Sequence, residues 1–556
     1  MGSRFSDMIR PRIASSLSCA LFRRNASAAR SVRDKRSWAT ATVLAFSTLT
    51  CFTGYTLGFQ RSHAKESNFT STKTRIGKPY YGGAKELHSA VPEMEAAGIE
   101  ISTDEDDLQA HGFSEWSTFN IEQNPIAIAY PRNTEDVSLI AKTCHKLKLP
   151  MIAYSGGSSL EGNFSATRGG VCIDFREMNR ILDVRVEDMD ATVQPSVGWV
   201  ELNEHLESQG VFFPVDPGPP AKIGGMTGTG ASGTNAVRYG TMRDWIINLT
   251  VVMADGTVIK TRQRPRKSSA GYNLNNLFCG SEGTLGLVTE ITVKLTTIPA
   301  QTSVAVCTFP TVRAVAATAA EVVRKGIPIG AVECMCEAQM AVINRAGYTK
   351  RKWEEVPTLF LKFSGTASGV KEQIQQVREI SKSHGGGKFE FARDAEEQKQ
   401  LWSARKEVLY SNLAMRKSPG SEVFSTDIAV PLSKMADLVE YAKNEFVKAG
   451  LEATVLGHVG DGNFHTSIVY DKTNPEEVAV VDMIVANMTH RALELEGTCT
   501  GEHGIGMTKK RYIIRELGVD TVSLMRKIKL ALDPLELLNP DKIIPLDELY
   551  AKGGGL

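Results

Sequence analysis

Two histidines flank an Asp-Gly dipeptide in the stretch GHVGDGNFH, residues 457–465. Asp461 and Gly462 read as the two-residue loop of a β-hairpin, a strong short-range turn signal. With that loop Gly460 faces Asn463, Val459 faces Phe464 and His458 faces His465. Directly opposed residues share one face of an antiparallel pair, with Cβ atoms roughly 5 Å apart, so both imidazoles reach one ion. Either histidine alone would read as an ordinary hydrogen-bonded side chain; two of only ten on one cross-strand pair favour a metal. A catalytic metal needs a third protein ligand and keeps a position open for substrate. The stretch TCTGEHGIG, residues 498–506, offers Glu502 beside His503. Neighbouring side chains in an extended segment point opposite ways, so one can serve the ion while the other faces something else. Imidazole and carboxylate ligands suit Zn or Mn. A divalent ion lowers the pKa of a bound hydroxyl, and a nearby neutral histidine then removes its proton.

Such groups need a scaffold, and glycine clusters beside apolar strands suggest one. The segment 131–150, PRNTEDVSLIAKTCHKLKLP, predicts a helix capped at Asn133 or Thr134, acidic in its first turn and stopped at Pro150. Then MIAYSGGSSLEGN, residues 151–163, reads as a short strand breaking into a glycine- and serine-rich loop, whose amides and hydroxyls can surround a pyrophosphate. A plain turn has the same composition. The run IGGMTGTGASGTNAVRYG, residues 223–240, places five glycines between Gly224 and Gly233. It lets backbone approach a flat phosphorylated cofactor, and a strand follows at once with an Asp255-Gly256 hairpin turn. A third cluster, CGSEGTLGLVTEITVKL at 279–295, leads into an alternating strand.

With 64 basic and 63 acidic side chains the chain carries no global field that would favour nucleic acid, and a small ligand fits better. Nine cysteines without a C-x-x-C pair give neither a disulfide framework nor a zinc finger. Residues 1–36 hold eight arginines and Lys35 against Asp7 and Asp34, the composition of a mitochondrial presequence. The 24 uncharged residues 37–60 are long enough, at roughly 1.5 Å per residue, to cross a bilayer core. They read as a single membrane anchor, with an extended presequence or a peripheral helix as the alternative. The basic flank then stays on the matrix side and leaves the body in the intermembrane space.

The strings YSGGSSLEG, GGMTGTGASGTNAVRYGTMRD and GSEGTLGLVTE resemble the flavoproteins of the vanillyl-alcohol oxidase type, and within them the FAD-linked 2-hydroxyacid dehydrogenases. The likeness runs from about residue 110 to the C-terminus. It implies an α+β fold, a split FAD-binding domain with an α/β cap whose sheet is largely antiparallel. It implies FAD, noncovalent because Ser158 stands where covalent members carry a histidine. The resemblance assigns Ser155, Gly156, Gly157, Ser158, Ser159 and Gly162 of the first loop to the cofactor. Pro217, Gly224, Gly225, Thr227, Gly230, Ser232, Gly233, Asn235 and Tyr239 follow from the second, and Glu282, Gly283, Gly286 and Val288 from the third. His458, His465 and Glu502 match the family's metal ligands, His503 its catalytic base, Arg405 its carboxylate-binding arginine and Asn463 a further catalytic position. Relatives that act on 2-hydroxyglutarate carry a lysine at the position of Ser425, so a monocarboxylate is favoured. The chain also departs from the family's Asn-Pro-Gly-Lys by having Asp541 before Lys542.

The activity implied is oxidation of D-lactate to pyruvate by hydride transfer to FAD, assisted by the divalent metal, with D-2-hydroxyglutarate or glycolate as the alternative substrate. No second dinucleotide fingerprint and no C-x-x-C-H haem motif is present, which leaves an external electron acceptor; the resemblance implies cytochrome c. The expected order is presequence 1–36, inner-membrane anchor 37–60, linker 61–110, FAD-binding domain 111–300, substrate and metal-binding cap 301–496, and a return to the FAD domain over 497–556. Two other classes fit parts of the sequence. A metal hydrolase would use the His, His, Glu set but leave the glycine clusters idle, and a flavin-binding assembly protein would bind FAD without turnover.

Overall fold

The computed structural model describes residues 79–545 apart from 116 and 118. The presequence and the 37–60 anchor lie outside those residues; among the described residues no helix is long and apolar enough to cross a membrane.

Three main sheets organise the chain. The first has four strands in the order Glu100–Ser102, Ala127–Tyr130, Val171–Asp174, Met151–Tyr154, the last three mutually parallel. The expected helix spans Thr134–Leu147: Asn133 Oδ1 accepts from Asp136 N at 2.8 Å, and Lys148 ends it in the left-handed region before Pro150 can disrupt it. Its apolar face, Val137, Ile140, Ala141 and Cys144, is fully buried on this sheet. The second sheet has five antiparallel strands, among them Ile246–Val252, Val258–Lys260 and Leu287–Lys294. The hairpin at Asp255 forms, but over five residues, because Met253 N bonds to Thr257 O and only Gly256 adopts positive φ.

The third sheet is the platform for the histidines. Its strands, from Gln301–Thr308 to Asn463–Asp471, are antiparallel throughout. Four helices, Val312–Arg324, Ala367–Ser383, Met435–Ala449 and Pro475–Glu494, cover one face and bury Leu361, Phe363, Phe464 and Ile468. Each such side chain stabilises the fold by about 2 kcal/mol. Alternation along the strands turns Glu333, His458 and His465 to the other face, where Met335, Phe360 and Leu456 pack against Leu401 and Ala404 of the helix Ala395–Lys406.

The hairpin register differs from the expected one. His458 pairs with Asn463 and Leu456 with His465, so the loop is the four residues 459–462. Asp461 N bonds to His458 O and Gly462 takes φ +76° with Val430 O pressed against its Cα, where a side chain could not stand. A slip of two residues preserves the face. The two imidazoles therefore sit diagonally on one surface, with ring centroids 5.5 Å apart and perpendicular planes.

After the helix Pro475–Glu494 the chain bonds once more to the third sheet, Thr498 with Ala429, and then runs back over the first. Leu538 lies parallel to Met151, extending the first sheet at its edge.

Candidate active site

Glu502 Oε1 lies 3.3 Å from His458 Nε2 and 3.3 Å from His465 Nε2. The far nitrogens are already engaged. His465 Nδ1 donates to the carbonyl of Thr426 at 3.0 Å, and His458 Nδ1 donates to Glu333 Oε1 at 2.8 Å. With both rings neutral, each turns a lone pair toward Glu502, and the two imidazoles and the carboxylate then present three acceptors to one point, where a cation fits. The donor set of two imidazoles and a carboxylate fits a divalent ion. Ser232 Oγ donates to the other oxygen of Glu502 at 2.6 Å, tying the second glycine loop to this centre.

Asp427, which the sequence did not single out, builds the loop that carries Glu502 and His503. Its Oδ2 accepts from the main-chain amides of Gly501, Glu502 and His503 at 2.8, 2.9 and 2.9 Å and from Thr500 Oγ1 at 2.8 Å. Its Oδ1 accepts from Asn463 Nδ2 at 2.8 Å. Burial alone would raise its pKa, but the His503, Lys509 and His465 charges hold it well below the usual carboxylate range. Asn463 also donates to Ile428 O, and its Oδ1 is buried without a partner among the described residues. The His503 ring stacks on that of His465 at 5.0 Å and 7°, beside the three ligand groups.

Arg405 does not stand free. Its Nε donates to Glu333 Oε2 at 2.8 Å, so one buried carboxylate holds both the candidate substrate anchor and a candidate metal ligand. Glu333 is 1% exposed in an otherwise apolar strand, and that mismatch is a signal sequence reading could have used. Register sets Ser425 opposite Ser467, two residues from His465 and on its face.

The first glycine loop offers an anion cradle. Among the described residues the N–H groups of 156–160 meet no protein acceptor, and Ser159 Oγ is buried without a partner. Orphaned donors strung along a loop are what a pyrophosphate would satisfy, so the residues fit FAD. Several expected cofactor residues are put to other use. Thr227 is fully buried and its hydroxyl donates to Ile223 O. Asn235 donates to Pro214 O, and Tyr239 packs edge-on against Phe212 and Trp245. Gly224, Gly233 and Gly286 lack side chains because Pro195, Asp216 and Val251 press on them. The Glu282 carboxylate is spent on the amides of Ile505 and Gly506 and on Asn163 Nδ2. Burial pushes its pKa up to about 7 despite those donors. Ser155, Gly156, Gly157, Ser158, Gly162, Pro217, Gly225, Gly230, Gly283 and Val288 lie on or next to the same loops.

Lys542 is engaged by main-chain carbonyls: its Nζ donates to Ser165 O at 2.7 Å and Pro540 O at 3.2 Å. Asp541 takes φ +65°, which a glycine would adopt freely, and pairs through both oxygens with Arg168 at 2.7 and 3.2 Å.

Comparison with known proteins places these features in context. Residues 125–262 match the FAD binding domain model and residues 298–543 the FAD linked oxidases, C-terminal domain model. The chain is 44% identical over 511 residues to a mitochondrial D-lactate dehydrogenase [cytochrome] of Kluyveromyces lactis, covering 89% of this chain and 88% of that one. It is 46% identical over 475 residues to the Arabidopsis thaliana protein of the same name, covering 85% and 83%. Among solved structures, p-cresol methylhydroxylase superposes with a TM-score of 0.70 at 21% identity, over 84% of this chain and 99% of that one, a likeness of fold.

Proposed function

We propose a function from one premise: this chain belongs to the D-lactate dehydrogenase (cytochrome) family of FAD-linked oxidases. It is a mitochondrial FAD-dependent oxidoreductase that oxidises D-lactate to pyruvate. The finer reading adds one Zn or Mn ion held by His458, His465 and Glu502, and cytochrome c as the electron acceptor. Convergence of those three ligand groups within 4.8 Å supports the ion, and the name of the relatives, D-lactate dehydrogenase [cytochrome], supports the acceptor. FAD, when bound, supplies the two-electron acceptor, and the divalent ion supplies Lewis acidity at the substrate hydroxyl.

The chain's own groups do the rest. Arg405 keeps its two terminal nitrogens for the substrate carboxylate while Glu333 fixes Nε, so the fork is already oriented. His503 takes the hydroxyl proton as the alcohol becomes a ketone. The unsatisfied Asn463 Oδ1 is an acceptor beside the reacting atoms. Ser425, on the face of His465, offers no cation for a second carboxylate, which supports D-lactate over D-2-hydroxyglutarate. The inner-membrane anchor at 37–60, the body in the intermembrane space and the division at about residues 300 and 497 belong to the same proposal.

Anaerobic flavin reduction by a panel of D- and L-2-hydroxy acids tests this reading. D-lactate should bleach the flavin fastest and L-lactate not at all. Faster bleaching by D-2-hydroxyglutarate or glycolate would reassign the substrate, and none by any acid would leave a binding protein.

A further inference from the structure

Glu161 sits in the first glycine loop, where a carboxylate would repel a phosphate, and it turns its back on the cradle. Its side chain points instead into the site, 5% exposed. Oε1 lies 2.7 Å from Lys509 Nζ and 3.4 Å from His503 Nδ1, and Oε2 accepts from Thr508 Oγ1. His503 Nδ1 and Glu161 Oε1 are both buried atoms lacking a well-aligned hydrogen bond, and each is the other's neighbour. The backbone locks the arrangement: Met507 N donates to Glu161 O at 2.8 Å, and Gly506 packs so close to Glu161 that it has no room for a side chain. Lys509 also reaches Asp427 Oδ2 at 3.4 Å. One buried ammonium therefore ties the carboxylate facing the His503 ring to the carboxylate that holds the His503 amide.

We infer that Glu161 is a positioning residue for His503: its carboxylate accepts a hydrogen bond from Nδ1–H, fixes the tautomer, and leaves Nε2 as the atom that removes the substrate hydroxyl proton. The logic is that of any carboxylate–imidazole pair in which the far nitrogen does the work. The O–H bond of the 2-hydroxy acid breaks and an Nε2–H bond forms, while the hydride leaves with the two electrons for FAD as in the family reaction. Lys509 neutralises Glu161, so the buried pair does not leave an uncompensated charge beside the base. This inference rests on the proposed role of His503 as the base and adds the group through which that role is set.

The test is a double-mutant cycle on the FAD-loaded protein, read as the rate of anaerobic flavin reduction by D-lactate, with D-lactate affinity and bound-flavin absorbance measured alongside. Glu161→Ala should slow reduction by about 100-fold while leaving D-lactate affinity within about threefold and the flavin fully bound. Glu161→Gln, whose amide oxygen still accepts a hydrogen bond from Nδ1–H, should recover most of the rate. In a His503→Ala background neither substitution should slow reduction further, because the only group they act through is gone. Glu161→Ala within about threefold of the parent rate, or the same loss with and without His503, would overturn the inference. If Glu161→Ala does not fold, Glu161→Asn and Glu161→Gln carry the same comparison. If His503→Ala itself reduces flavin at the parent rate, the proposed base fails and this inference fails with it; if only the Glu161 variants are silent, the base stands and the inference alone is lost.

Discussion

Glu333 Oε1 lies 2.8 Å from His458 Nδ1, and its second oxygen lies 2.8 Å from Arg405 Nε. Burial alone would raise the pKa of this carboxylate, but the charges of His458 and Arg405 win and hold it ionised. The proposed substrate anchor and the proposed ion ligand therefore share one counter-charge. Glu333→Ala should weaken divalent-ion binding by about 10- to 100-fold, as loss of a ligand's outer partner does, and also raise the KM for D-lactate. Metal content after dialysis and steady-state kinetics check both; full metal content with unchanged KM would contradict the shared role.

Asp427 gives one oxygen to three successive amides and a hydroxyl. Asp427→Asn sets an amide among those donors and strips the charge facing Lys509. Thermal unfolding should show a loss of about 3–5 kcal/mol, the size expected when one side of a buried charged network is removed.

Lys542 carries a pH dependence. Burial pushes its ammonium down to about 7, with the Asp541 and Glu282 charges opposing. In the unfolded chain it titrates near about 10.4. Between those values the unfolded chain takes up the proton and the folded one does not, so stability falls as pH falls from about 10 to 7 and levels off below. The slope is at most about 1.4 kcal/mol per pH unit. Lys542→Met should flatten the rise of the unfolding midpoint between pH 7 and 10; parallel profiles for parent and variant would refute this.

Asp541 combines a left-handed backbone, costing about 1 kcal/mol, with a half-exposed pair to Arg168 worth up to about 1 kcal/mol. Asp541→Gly loses the pair and the strain together, whereas Asp541→Ala loses only the pair. Chemical denaturation should therefore rank Ala below Gly by about 1 kcal/mol, with Gly close to the parent.

Local chemistry was legible in the sequence where one short segment contains its own cause. Asn133 caps its helix because the acceptor and the amide it serves are three residues apart. The hairpin face was legible while its loop length was not, because a two-residue slip leaves every side chain on the same surface and the alternation pattern cannot register it. Glu333 showed only as a lone carboxylate in an apolar strand, and Glu161 and Asp427 not at all, because the groups these three act on lie between 36 and 342 positions away and only folding brings them together. The glycine clusters have a second use beside the expected one. Gly224, Gly233 and Gly286 serve close packing of chain on chain, a use that composition does not separate from cradling a ligand.

Chelation followed by metal return tests the central claim most directly. Protein stripped of divalent ions but still holding FAD should fail to bleach with D-lactate under anaerobic conditions, and one equivalent of Mn or Zn should restore the reaction. His458→Ala and His465→Ala should neither bind that equivalent nor recover. Metal-free protein that bleaches at the full rate, or variants that take up the ion as the parent does, would contradict the account.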